Sequence, residues 1–216
     1  MLNRIRRRLG WDGPTDLMTF WTRRVKEMKT HAVLHIDYSG EDMEAITQKH
    51  TSIVFPYWAE ELNGREKVLL DFGCGAGRFA QSLIELTDAK YIGLDPIADL
   101  LAAAPKHQEM NFQLLRSQER WPLVSDSVDL IWIYQVLGGI REKDLASVME
   151  ELNRVSQKGA KICLVENTSH QKDSDYWHYR SINEYQDLFQ DYQLRHRHSF
   201  EEFSETISIF TGQKSI

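Results

Sequence analysis

Cysteine is scarce. Cys74 and Cys163 are the two in 216 residues. They form no C-x-x-C pair, and no histidines follow at zinc-ligand spacing, so the sequence offers neither a disulfide framework nor a thiolate metal site. No apolar run approaches the ~20 residues of a membrane span. Arg4, Arg6, Arg7 and Arg8 are followed by no apolar segment, which argues against a secretory signal. Positive charge is not in excess. Lys and Arg number 26 against 32 Asp and Glu, a formal net charge of -6, and a general nucleic-acid surface shows instead as a basic surplus. The expectation is a cytoplasmic protein with reduced thiols. A phosphate-binding G-x-x-x-x-G-K-[ST] loop is missing, and so are internal repeats and low-complexity segments. The dinucleotide fingerprint G-x-G-x-x-G fails because position 78 is Arg.

What is present is ordinary in bulk and specific in one stretch. Hydrophobic residues make up 42% and charged residues 27%, a globular composition. Val68 to Phe72 is an apolar run containing an acid, Asp71. Gly73, Gly75 and Gly77 follow at alternate positions. Phe79, Leu83 and Leu86 then open an amphipathic helix. A strand, a tight glycine turn and a helix start form a junction that accepts a small anionic or carboxylate-bearing ligand, and the acid suits an ammonium group.

The rest of the chain alternates. Strands are expected at 67–72, 90–94, 111–115, 128–134 and 160–166. Helices are expected at 78–87, 96–104 and 142–156, with Lys158-Gly159 as a turn. Alternation of this kind predicts a parallel α/β sheet. A helix at 182–191 precedes strands at 192–198 and 206–211, whose short connection suits an antiparallel pair. Before the first strand, short helices are read around Leu2, Ile5 and Leu9, at 15–30, at 42–51 and at 55–62. The expected division is a helical extension or cap over 1–62 and an α/β domain over 63–216.

Asp71-Phe72-Gly73-Cys74-Gly75-Ala76-Gly77, the acid of Tyr91-Ile92-Gly93-Leu94-Asp95, and the stretch from Trp121-Pro122-Leu123 to Asp129-Leu130-Ile131 resemble the class I S-adenosylmethionine-dependent methyltransferases. The resemblance covers roughly residues 55 to 166. It implies a Rossmann-like, doubly wound seven-stranded sheet of order 3-2-1-4-5-7-6 whose last strand is antiparallel. It also implies S-adenosyl-L-methionine as cofactor, with S-adenosyl-L-homocysteine as product. On that resemblance Asp71, Gly73, Gly75 and Gly77 hold the methionine part, and Asp95 the ribose hydroxyls. Ile97 and Leu100 sandwich the adenine, Pro96 is a further cofactor contact, and Ser117 and Gln118 lie at its amino edge, where relatives commonly carry an acid in place of Ser117. Arg78 either pairs with the cofactor's carboxylate or is a helix-surface residue. Tyr134 opens the loop facing the methyl group. Many relatives carry His after that loop's Val-Leu pair, whereas here Gly138 and Gly139 stand there.

The acceptor side is read from the N-terminus and from the segment after the fifth strand, starting at Glu166-Asn167-Thr168. Tyr176, Trp177 and Tyr179 are candidate pocket walls, Arg180 an anion clamp and His178 a general base. No metal ligand set is evident. The functional expectation is transfer of a methyl group to an O or N atom of a small molecule, with neither nucleic acid nor membrane as partner. Two alternatives stay open: a non-catalytic S-adenosylmethionine-binding module and a nicotinamide-dependent reductase. The glycine spacing and the lack of a Tyr-x-x-x-Lys dyad count against the reductase.

Overall fold

The computed structural model describes residues 16–35, 37–38, 42–116, 120–174 and 176–215. The expected first helix around Leu2, Ile5 and Leu9, and the candidates Ser117 and Gln118, lie outside these.

Seven strands form one sheet: β1 (Val68–Phe72), β2 (Lys90–Asp95), β3 (Met110–Leu114), β4 (Val128–Tyr134), β5 (Ser156–Asn167), β6 (Arg195–Glu202) and β7 (Glu205–Gln213). Their order is 3-2-1-4-5-7-6. Strands β1 to β5 pair in parallel, and β7 runs antiparallel to both β5 and β6. Strand order reverses between β1 and β4, and in open α/β sheets ligands bind outside the carboxyl ends at that switch point.

Side chains alternate across the sheet. Leu70, Phe72, Ile131 and Ile133 face one layer, with Leu145 and Leu152 of α5 (Glu142–Val155) and Tyr185 of α6 (Ile182–Leu188). Leu69, Tyr91, Leu130 and Trp132 face the other, with Leu83 of α3 (Ala80–Thr87) and Val54 and Trp58 of α2 (Met43–Ala59). Burial on both faces is why β4 reads as an unbroken apolar run. Ahead of α2, α1 (Leu17–Met28) continues into a 3-10 turn (Lys29–Val33).

Four boundaries differ from expectation. Residues 42–62 hold one helix where two were read, because Ile46, Val54 and Trp58 keep one buried face, and that burial outweighs the donor missing at Pro56. Pro96 does not start its helix, since α4 (Ala98–Ala102) begins two residues later. Lys158-Gly159 is not a turn. It lies inside β5, where the register against β4 shifts and Gly159 takes φ 79°. The last hairpin closes through Phe203 and Ser204 alone, at φ 49° and 64°, the left-handed pair that matches strand twist. Its strands are therefore longer than read.

Candidate functional site

Asp71, near the end of β1, is 3% exposed and its Oδ2 accepts from the Tyr91 hydroxyl at 2.6 Å. Burial pushes its carboxyl up to about 7, against the pull of Tyr91. Asp95 closes β2. Its Oδ2 accepts from Gly75 N at 2.9 Å and its Oδ1 from Ile97 N at 2.8 Å, and burial raises it to about 6. Asp95 thus ties the glycine turn to the segment after β2. An ionised carboxylate has about four acceptor positions, so further donors can still be met. Gly73 sits at φ 76°, and a Cβ there would stand 2.7 Å from Val136 Cγ1. Only glycine lets this turn and the loop after β4 close on each other.

Arg78 lies in the turn before α3 rather than on the surface of that helix. Its guanidinium lies 3.9 Å from the Phe79 ring centre and 4.9 Å from that of Tyr134. Its Nη1 donates to His50 Nδ1 at 3.0 Å. That fixes the tautomer, so His50 Nε2–H donates to Glu202 Oε1 at 2.9 Å. The Tyr38 hydroxyl donates to the same Glu202 oxygen at 2.5 Å, and Lys49 reaches it at 3.2 Å. Burial alone would raise Glu202, but the hydrogen bonds from His50 and Tyr38 hold it at about 2. A folded-state pKa below the unfolded one adds stability above pH ~4.5 that is lost as pH falls toward 2. Glu202→Gln is therefore expected to lower stability at pH 7 by ~2–3 kcal/mol. The deficit falls by about half by pH 3 and closes near pH 2. Urea melts at pH 7 and pH 3 check this, and an equal deficit at pH 3 contradicts it.

Glu166 was read both as the end of the fifth strand and as the start of the acceptor segment. It is the penultimate residue of β5, fully buried, with Oε1 accepting from Val136 N at 2.8 Å and Leu137 N at 2.7 Å. Burial pushes it up to about 7. It shapes the loop after β4. The signal that singles out Asp71, an acid at the end of an apolar strand, applies equally to Glu166.

Trp177 lies over that loop. A Cβ on Gly138 would come 2.5 Å from the indole Cζ2. The space that a side chain at position 138 would need is filled by this ring. Phe20 stacks on Tyr176 at 4.3 Å between ring centres, and Trp21 meets Phe20 edge-on at 5.5 Å, contacts of ~0.5–1.5 kcal/mol each beyond burial. So α1 and the segment 174–180 form one aromatic roof. His178 N donates to Gly138 O at 2.7 Å, and its Nδ1 stands 3.0 Å from Asp173 Oδ2, a partner five residues upstream that the sequence reading missed. Tyr179 is half-buried, its hydroxyl donating to Gln171 at 3.3 Å. Arg180 does not present a free clamp. It is buried, donating to Leu137 O at 3.0 Å and Glu142 Oε2 at 2.9 Å. Ile97 and Leu100 pack with Val25 of α1 and Ala32 of the 3-10 turn after it, while Pro96 stays partly exposed.

The fold thus gathers Asp71, Gly73, Gly75, Gly77, Arg78, Asp95, Ile97 and Tyr134 at one rim and brings Tyr176, Trp177 and His178 beside it. Among the described residues, no cluster of His, Cys, Asp and Glu is arranged to hold a metal ion, and no helix is long and apolar enough to cross a membrane.

Residues 69–159 match the family model described as a methyltransferase domain. No curated protein sequence matches the chain. Among solved structures, an S-adenosylmethionine-dependent methyltransferase from Archaeoglobus fulgidus is 12% identical, with a TM-score of 0.61 over 80% of this chain and 95% of its own. DhpI, solved in complex with S-adenosylhomocysteine, is 14% identical at a TM-score of 0.65, over 92% and 95%. SpnF, a 4+2 cyclase, is 13% identical at 0.66, over 94% and 98%. At these identities the likeness is one of fold.

Proposed function

We propose that this chain is a class I S-adenosylmethionine-dependent methyltransferase, a reading supported by the methyltransferase-domain match over residues 69–159 and by the fold it shares with such enzymes, and that it moves the methyl group to an O or N atom of a small-molecule acceptor. The observation that carries the reading is the pair of buried acids, Asp71 and Asp95, on either side of one glycine turn. The cofactor supplies an electrophilic methyl group on a sulfonium centre. Asp71 meets the ammonium of its methionine part and Asp95 the ribose hydroxyls. The backbone of Gly73, Gly75 and Gly77 lies close to the ligand, and Arg78 takes the carboxylate. Ile97 and Leu100 flank the adenine beside Pro96, and its amino edge is assigned to Ser117 and Gln118. Tyr134 opens the acceptor loop.

Residues 1–62 act as the cap and 63–216 as the catalytic domain. The aromatic roof of Tyr176, Trp177 and Phe20 excludes water, and alignment in such a site contributes up to ~7–11 kcal/mol to the barrier reduction. His178 serves as base for a hydroxyl acceptor, oriented by Asp173, while an amine arriving neutral needs less help. A net charge of -6 and aromatic walls support a small acceptor over nucleic acid.

The test is calorimetric titration with S-adenosylhomocysteine beside NADH, followed by transfer of labelled methyl from S-adenosylmethionine to pooled small alcohols and amines. Because ammonium pairing favours the ionised form of Asp71, binding near pH 7 is expected to release protons, seen as heats that differ between buffers of unlike ionisation enthalpy. NADH binding without S-adenosylhomocysteine binding sinks the assignment.

A further inference from the structure

Three cations are buried among the described residues: Arg24, Lys161 and Arg180. Lys161 pairs with Glu66, and Arg180 with Glu142. Arg24 has no such acid. It is 3% exposed, its Nη2 donates to Leu34 O at 2.6 Å, and its Nε is buried with no partner. Among the described residues, no carboxylate neutralises it. One carbonyl does not offset the desolvation of a guanidinium, and burial lowers Arg24 only to about 10, so it stays charged. A methionine of similar length would fill the same space at less cost. A buried planar donor fork without an anion suits a ligand that brings one.

Its place says which ligand. Leu34, its one hydrogen-bonded contact, lies between two residues seated on the site. Val33 packs on the glycine turn, its Cγ1 2.7 Å from where a Cβ on Gly75 would be. His35 Nε2 lies 3.5 Å from Glu205 Oε2 at the hairpin on the sheet's acceptor end. The Trp21 ring centre is 5.3 Å from the Arg24 guanidinium, and the same indole reaches to 3.9 Å from the Cβ position of Gly139. Arg24 therefore stands one indole away from the loop that faces the acceptor.

We propose that Arg24 is the receptor for an anionic group, a carboxylate or phosphate, carried by the acceptor, so that the enzyme takes acidic small molecules. This rests on the methyltransferase reading above, in which Arg78 already serves the cofactor's carboxylate.

The probes are benzoate, its neutral analogue benzamide and inorganic phosphate, titrated into the wild-type protein saturated with S-adenosylhomocysteine. Benzoate or phosphate is expected to bind, and benzamide not. Arg24→Met should weaken anion binding by ~10-fold or more, leave S-adenosylhomocysteine affinity within about threefold, and raise the melting temperature of the ligand-free protein because an uncompensated buried charge is gone. Arg24→Lys should retain part of the anion binding. Two results overturn the proposal. One is weakened binding of S-adenosylhomocysteine but not of 5′-methylthioadenosine, which lacks the amino-acid part and would reassign Arg24 to the cofactor. The other is a lower melting temperature with anion binding unchanged, the mark of a structural cation. Wild-type protein that binds no S-adenosylhomocysteine fails the underlying reading, a separate outcome.

Discussion

Asp71→Asn is expected to stabilise the ligand-free protein at pH 8 while reducing S-adenosylhomocysteine affinity by ~100-fold or more. Both effects come from one carboxyl. Folding raises it from an ordinary aspartate value to about 7 because it is buried. The folded state binds this proton more tightly than the unfolded chain, so stability falls as pH rises from about 4 through about 7. Above that the ion is present and penalised, by ~2–4 kcal/mol. Asparagine has no charge to desolvate and still offers an oxygen to the Tyr91 hydroxyl, which donates at 2.6 Å in the wild type. The gain should therefore vanish near pH 4, where both side chains are neutral. Affinity moves the other way because a charge-assisted contact to an ammonium contributes up to ~3 kcal/mol. Urea melts at pH 4 and pH 8, with calorimetry at pH 8, read both. If stability and affinity fall together, Asp71 is structural.

Gly138→Ala is expected to abolish methyl transfer, by ~100-fold or more, while S-adenosylhomocysteine still binds. The new Cβ would lie 2.5 Å from Cζ2 of Trp177 and 2.7 Å from its Nε1. The ring is 7% exposed and shares a cluster with Phe20 and Tyr176, so it cannot move without loosening the roof. Overpacking of this kind costs ~1–3 kcal/mol, and small displacements in an aligned site cost ~100-fold in rate. The cofactor acids are on other strands and keep their partners. Labelled-methyl transfer and calorimetry on the same preparation separate the two functions. Wild-type turnover in a correctly folded variant would remove Trp177 from the acceptor site.

Much of this protein is written locally. The acid-then-glycine turn after β1, the acid ending β2, the apolar β4 and the alternation of strands with helices depend on neighbours within a few residues, because strand pleat, glycine dihedrals and helix periodicity are short-range. Sequence alone therefore determined which segments form the strands, and it placed Asp71, Asp95 and the three glycines at the carboxyl ends of β1 and β2. Boundaries failed where packing overrode local preference, as at Pro56 and in the two-residue hairpin turn.

Tertiary structure alone decided the partners. His50 meets Glu202 across 152 positions, and Glu166 holds a loop thirty residues upstream. Arg180, polar and in an aromatic-rich loop, reads as a clamp but turns inward to Leu137 and Glu142. Arg24 reads as one more cation on an amphipathic helix, and only its burial without an acid marks it out. The physical reason is common to all four. A charge's role is set by solvation and by which groups folding brings within hydrogen-bond reach, and neither quantity is encoded in the residue's immediate neighbours.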